Sequence, residues 1–264
     1  PPKQSGNTSI IPYALSSVGK MHPSPTDVHA KIGGDIKYGL SSSLNLDVTV
    51  NPDFSQSEVD QQVTNLDRFE LFFPEKRQFF LENADLFSNF GYPTLRPFFS
   101  RRIGLSTGGE PVDINAGVKV SGRVGDWNVG TLLISQDEDV LSGVDSSEVF
   151  VGRAILNVLG ESQLGVIATS GDPQSNLDNN LMGMDFRYRN SRLPGGRTIQ
   201  GVAFYQQSDT AGKTGDDASY GFGISSPNNQ GWRGGYNYKR VEKNFDPAVG
   251  FVSLTDMEDH AVDF

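Results

Sequence analysis

Cysteine is absent from these 264 residues. Its absence removes a disulfide scaffold, a thiolate zinc site and a cysteine nucleophile, and is compatible with a bacterial envelope without requiring one. No stretch approaches the roughly 18 apolar residues of a membrane-spanning helix; hydrophobic residues make up 36% and mean hydropathy is -0.38. Helical membrane proteins are thereby excluded, but barrels are not, because alternating strands hide their apolar residues from such a count. Positive charge is in deficit: 22 Lys and Arg against 32 Asp and Glu leave a net charge of -10 and a pI near 4.7. That argues against nucleic-acid phosphates as a partner. Histidine is sparse, and His22, His29 and His260 are scattered without zinc-like spacing. The opening PPKQSGNTSI lacks the basic start and apolar run of a signal peptide. The expectation is either a protein that is not exported or an internal piece of a longer one. The ending DMEDHAVDF reads as a strand cut off soon after it begins.

Present in quantity are 30 glycines and 17 phenylalanines, and the glycine content argues against a helical protein. The dominant regularity is alternation with period two. Leu44, Leu46, Val48 and Val50 oppose Asn45, Asp47, Thr49 and Asn51; Ile32, Ile36, Tyr38 and Leu40 oppose Asp35 and Lys37. Ile114, Ala116, Val118 and Val120 oppose Asn115, Lys119, Ser121 and Arg123. MGMDFRYR sets Met182, Met184, Phe186 and Tyr188 against Asp185, Arg187 and Arg189. Shorter alternations occur around 220–224 and 232–239, with Arg233 and Lys239 on the polar side of the second. No comparable helix signal follows residue 112. The chain is read as antiparallel all-β.

The links carry a second pattern. VGDW (124–127), GES (160–162) and PNNQ (227–230) are tight, whereas QDEDVLSGVDSS (136–147), DPQSNLDNN (172–180) and DTAGKTGDDA (209–218) are long, and SRLPGG (191–196) is moderate. Short and long links taking turns, with strands of about nine to twelve residues, fit an outer-membrane barrel with short periplasmic turns and long outer loops. Aromatic residues near strand ends, Trp127, Tyr188, Trp232 and Tyr238, fit interfacial girdles. A soluble β-sandwich or propeller shares the alternation but not the rhythm of links. The expected architecture is an antiparallel up-and-down transmembrane-type β-barrel, present here as a fragment of about twelve strands over residues 1–264. In a Gram-negative outer membrane its partner would be lipid. Asp35, Lys37, Asp47, Lys119, Arg123, Asp185, Arg187 and Arg189 would form a mixed-charge lumen wall.

The stretch RFELFFPEKRQFFLENADLF (68–87) does not alternate, and Pro74 interrupts any helix. Strand parity makes residues 52–112 leave and re-enter on the long-link side, roughly sixty residues, too long for an idle loop. So many rings are not left in water without association. We expect an inserted plug or constriction segment, with Arg68, Phe72, Phe73, Lys76, Arg77, Phe79, Phe80, Asp85, Arg101 and Arg102 packing and pairing in the lumen. An amphipathic helix-turn-helix lying on a soluble sheet is the alternative.

GGDIKYGLSSSLNLDVTVNPDFSQSEVDQQVTNLDRFELFFPEKRQFFLENADLF (33–87), SRRIG (100–104) and FDPAVGFV (245–252) resemble the signature of the family called domain of unknown function 5916. The resemblance implies a bacterial outer-membrane barrel, commonly preceded by a module similar to family 9 carbohydrate-binding domains. No such module is visible here, and the family's chains continue beyond the FDPAVGFV element. The resemblance carries no settled activity.

Three function classes follow. The first is passage or surface handling of a polar solute, with an oligosaccharide implied by the resemblance alone. The second is a surface hydrolase using Glu70, Glu75 or Glu82, since glycosidases need a carboxylate pair about 5 to 10 Å apart. The third is a soluble β-sheet binding module. Acidic loops with Asp137, Glu138, Asp139 and Asp145, or Asp178 with Asn179 and Asn180, offer oxygen ligands for calcium but lack the EF-hand pattern. The glycines of GGDIKYG and GVKVSGRVG lack a strand-to-helix context for phosphate. No cofactor and no metal are expected.

Overall fold

The computed structural model describes residues 8–19, 27–52, 75–228, 231 and 233–264. Twelve strands form one antiparallel sheet in which each pairs with its neighbours in chain order; two further strands of two residues each, β4 (Leu95–Arg96) and β13 (Phe251–Val252), stand outside it. In order the twelve are β1 (Thr8–Gly19), β2 (Asp27–Gly39), β3 (Leu44–Val50), β5 (Ile114–Val124), β6 (Trp127–Gln136), β7 (Ser147–Val158), β8 (Ser162–Ser170), β9 (Asn179–Leu193), β10 (Arg197–Thr210), β11 (Ala218–Ser226), β12 (Gly234–Val241) and β14 (Met257–Asp263). The alternating segments are strands of the expected parity: Val48 faces Val118, and Asp47 faces Lys119, across the β3–β5 ladder.

The links alternate in length from one end of the sheet to the other. At one end they are 40–43, 125–126, 159–161 and 194–196; at the other they are 51–113, 137–146, 171–178, 211–217 and 242–256. The link at 227–233 breaks the rhythm, because β12 starts at Gly234 and the turn is longer than PNNQ alone. Half of SRLPGG proves to be strand, since β9 runs on to Leu193 and only 194–196 remain as the link. Among the described residues β1 and β14 each pair on one side only, so the sheet has two edges and is not closed.

The insert between β3 and β5 covers one face of the sheet. Within it lie α1 (Gln78–Leu81), α2 (Ala84–Ser88), β4 and a single 3-10 turn at Ser100–Arg102. Both helices are one turn long, as expected where Asn83 takes a left-handed backbone (φ 55°) between them. β4 pairs with β13, which ties the insert to the link after β12. The core lies between insert and sheet: Phe80, Leu86, Phe87, Phe90, Phe98 and Ile103 pack against Leu132, Ile134, Val149, Val151, Ile155, Ile167, Leu181 and Phe204.

A flat sheet would hold β2 and β12 about 43 Å apart, at ~4.8 Å per strand. Residues 82–92, under roughly 30 Å of chain, nevertheless touch both, through Lys37 and Asn237. The sheet is therefore curled around the insert.

Candidate functional site

The two faces of the sheet differ in an unusual direction. The face under the insert carries the charges and buries them: Asp47, Lys119, Arg153 and Asp185 are each no more than 4% exposed. The bare face carries apolar side chains and exposes them: Met182 is 72% exposed, and Met184, Leu133, Val166, Phe222 and Ile224 are about half exposed. Trp127 and Leu164 extend the same band. The covered face also holds the apolar core, so the unusual side is the bare one: a sheet face that meets water is ordinarily polar.

The covered-face cations meet the ends of the insert's short helices. Lys119 Nζ donates to the carbonyls of Phe79 (2.6 Å) and Glu82 (3.1 Å), which close α1, and lies 3.5 Å from Asp47. Its ammonium also sits 5.0 Å from the Phe79 ring centre. Lys37 pairs with the Glu82 carboxylate. Arg153 donates to the carbonyl of Asn89 (3.0 Å), which closes α2, and Arg187 to that of Gly91 (3.1 Å). A helix C-terminus leaves carbonyls without intrahelical partners and attracts cations. Even one-turn helices present these acceptors, and here the sheet supplies the donors. Asn83 Nδ2 adds a bond to Ser121 Oγ (2.8 Å).

Inside the insert, Arg77 is the organising group. It is buried, and it meets Glu75 through Nε (2.8 Å) and Nη2 (2.7 Å). Its remaining donors reach the carbonyls of Ile103 (2.6 Å) and Ser100 (2.7 Å), and the guanidinium lies over the Phe80 ring at 4.3 Å. Burial opposes the charged form of Glu75, but bonds and charge from Arg77, with a bond from Ser100, together outweigh it and hold the carboxyl below its ordinary range. Both Glu75 oxygens are occupied, Oε1 also by the amides of Lys76 and Arg77. Glu75 is thus a structural anchor rather than a carboxylate free to take a proton. Glu82 is engaged by Lys37, which weakens the carboxylate-pair reading from the second side.

The other residues singled out from the sequence fall into different places in the fold. Asp85 is exposed in the first turn of α2, where a carboxylate suits the free amides rather than the wall. Phe79 and Phe80 pack edge to face at 5.2 Å. Arg102 bonds the Gly250 carbonyl (2.9 Å) and Gln174 (3.2 Å), and burial holds the Arg101 guanidinium below its usual range. Lys37 and Asp35 share the covered face with Asp47 and Lys119. Arg123 and Arg189 stand exposed near the short links instead, Arg123 turned to the Gly125 carbonyl (2.8 Å) and Arg189 4.0 Å from Glu161. Alternation alone puts both on the wall, but their strands have run past the end of the insert. Arg68, Glu70, Phe72, Phe73 and Trp232 lie outside the described residues. In the acidic loops, Asp139 accepts from the amide and hydroxyl of Ser142, and Asn179 is buried against Thr210 (2.7 Å) and the Asp246 carbonyl (2.9 Å). Among the described residues no cluster of acidic or histidine side chains is arranged to hold a metal.

Residues 7–128 match the family model described as "Domain of unknown function (DUF5916)". Over that stretch the chain is similar to the DUF5916 family, the one its sequence resembles. No curated protein matches the chain. Among solved structures it is similar to "OmpT (in-vitro folded), an outer membrane protein" of Vibrio cholerae in its trimer form, at 10% identity, over 97% of each chain, with a TM-score of 0.37.

Two of the elements quoted for the DUF5916 resemblance meet in space. SRRIG and FDPAVGFV are joined by the Arg102–Gly250 bond, and the neighbouring Phe99 donates its amide to the Val249 carbonyl (2.8 Å) and sets its ring 5.8 Å from Phe251. Sequence reasoning missed Arg153 and Gln136. Arg153 shares parity with Val149, Val151 and Ile155, and one cation amid a buried aliphatic row was the available signal. Gln136 accepts from the Gly104 amide (2.7 Å) and donates to the Pro173 carbonyl (2.8 Å), which no local pattern announces. Buried polar atoms of Thr49, Thr169, Gln206 and Ser219 have no protein partner among the described residues. Such groups are costly in a dry interior and suit a hydrated one.

Proposed function

We propose that this chain is part of an outer-membrane β-barrel whose covered face is the lumen wall and whose insert is a plug, and that it handles passage or surface binding of a polar solute. One observation carries the reading: the sheet exposes Met182, Met184, Leu133, Val166 and Phe222 on its bare face and buries Lys119, Asp47, Arg153 and Asp185 on the other. Contiguous exposed apolar surface requires a covering, and lipid covers a band of this kind. The rhythm of links supports the same reading, with the long links outward. Further strands would close the two free edges, which would otherwise be sites of self-pairing. An oligosaccharide is the solute class that the family resemblance implies.

The test is fractionation of the full-length protein in its native host, followed by gel electrophoresis with and without heating. Recovery in the outer membrane with a heat-dependent change of mobility is the expected result. Recovery in a soluble fraction with no change would remove the membrane from the reading.

A further inference from the structure

The insert packs against the sheet from β5 to β10 and reaches β12 through Tyr92 and Asn237, and beside that contact it leaves a gap over β12 and β14. The gap, about 290 Å³, is bounded by the Tyr92–Pro93–Thr94 turn on one side and by Asn237, Lys239 and Asp259 on the other. Ala261 pairs with Asn237 across the β12–β14 ladder, and its small side chain leaves the floor open there.

The lining is built rather than incidental. The Tyr92 ring packs edge to face against Phe204 at 5.4 Å, which fixes its orientation. Burial first, and the Asp259 charge second, push the Tyr92 hydroxyl above its ordinary range, so it remains a donor. It donates to Asn237 Oδ1 at 3.2 Å. Gly223 makes this contact possible: a Cβ there would stand 2.3 Å from Asn237 Oδ1 and 2.7 Å from the Tyr92 hydroxyl. Lys239 and Asp259 are 3.3 Å apart and cancel each other's charge.

Resting on the reading above, we propose that this gap is a binding subsite for one ring of a neutral saccharide. The volume, about 290 Å³, is just below the range of about 300–1,000 Å³ for small-molecule pockets, a size that suits one ring rather than a whole ligand. An aromatic ring with fixed orientation offers a face or edge to a sugar's C–H surface, while the Asn237 amide, the Lys239 ammonium and the Asp259 carboxylate supply donors and an acceptor within reach of its hydroxyls. A site whose one cation and one anion already neutralise each other has little to offer a charged ligand. A polyhydroxylated neutral ring uses both halves of that pair.

The experiment is calorimetric titration of the full-length protein in detergent with maltohexaose, cellohexaose and chitohexaose, and with hexagalacturonate as the charged comparison. At least one neutral chain is expected to bind, and to do so about tenfold more weakly in Asn237→Ala, the effect of losing one good hydrogen bond. Tyr92→Phe, which keeps the ring and its packing, should weaken binding in the same direction, and Gly223→Val should abolish it by filling the contact. Absence of binding by all three neutral chains would overturn the proposal, as would equal affinity in Asn237→Ala and Tyr92→Phe, or preference for the galacturonate. The heat-dependent mobility of the same samples separates the two readings. Mobility change without variant-sensitive binding removes the subsite alone, whereas variant-sensitive binding without mobility change removes the membrane alone.

Discussion

Arg153 on β7 and Asp185 on β9 touch at 2.7 Å across the strand that separates them, in the space left by Gly165 of β8. A Cβ at position 165 would lie 2.5 Å from Asp185 Oδ1 and 2.6 Å from the nearest Arg153 nitrogens. Both side chains are nearly inaccessible, and Arg153 also holds the end of α2. The pair therefore joins three strands and the insert in one contact.

Gly165→Val should drive that pair apart. Removing one partner of a buried ion pair costs about 3–5 kcal/mol because the other charge is left uncompensated, and forcing the pair apart leaves both charges so. We expect a clear fall in the urea midpoint of the folded protein, and a smaller one for the double replacement Arg153→Met with Asp185→Leu. A midpoint unchanged by Gly165→Val would mean that the pair contributes nothing to stability.

Lys119→Met should loosen the insert rather than the sheet. The substitution leaves Asp47 without its cation and frees the carbonyls of Phe79 and Glu82. The destabilisation of a stranded buried charge is again about 3–5 kcal/mol. The expected signs are faster proteolysis after Lys76 and Arg77 and, in a planar bilayer, larger or noisier conductance. Adding Asp47→Asn should restore part of the protection.

Glu75 gives the insert an acid-sensitive component. Its carboxyl lies below the ordinary value of 4.5 in the folded chain. A depressed folded value means stabilisation that is complete above the unfolded value and is lost as pH falls through the folded one. Protection of residues near Arg77 from protease should therefore hold above pH ~4.5 and decline below it. Glu75→Gln should start less protected and lose that part of the acid dependence; an identical pH profile in the variant would assign it to other groups.

The bare face separates membrane from water directly. Met184→Arg replaces a half-exposed side chain. In water such a surface change is worth within about 0.5 kcal/mol, whereas an arginine facing the middle of a bilayer costs about 2–4 kcal/mol. Folding yield into lipid vesicles should fall for Met184→Arg and not for a charge added at exposed Leu141, in the long link between β6 and β7.

Much of the architecture is legible in the residues alone. Period-two alternation is a property of the local backbone, so Leu44–Val50, Ile114–Val124 and Asn179–Leu193 announce both their strands and the faces of Asp47, Lys119 and Asp185. Strand parity locates the insert at 52–112, and the link between the outgoing and the returning strand is 51–113. The candidate site is less legible: Lys119 and Arg187 can be assigned a face but not a partner, and alternation assigns Arg123 and Arg189 to a wall they run past.

By itself the sequence determined the strands, their parity, the link lengths and the absence of any thiol or helical membrane span, because each depends on residues close together in the chain. Only the tertiary structure decided which cation meets which carbonyl, that Leu95–Arg96 pairs with Phe251–Val252, and that Tyr92 reaches Asn237. Those contacts join residues far apart in the chain. They depend on the register of several successive ladders and on the curl of the sheet, quantities that add up across the fold and that no local stretch of sequence encodes.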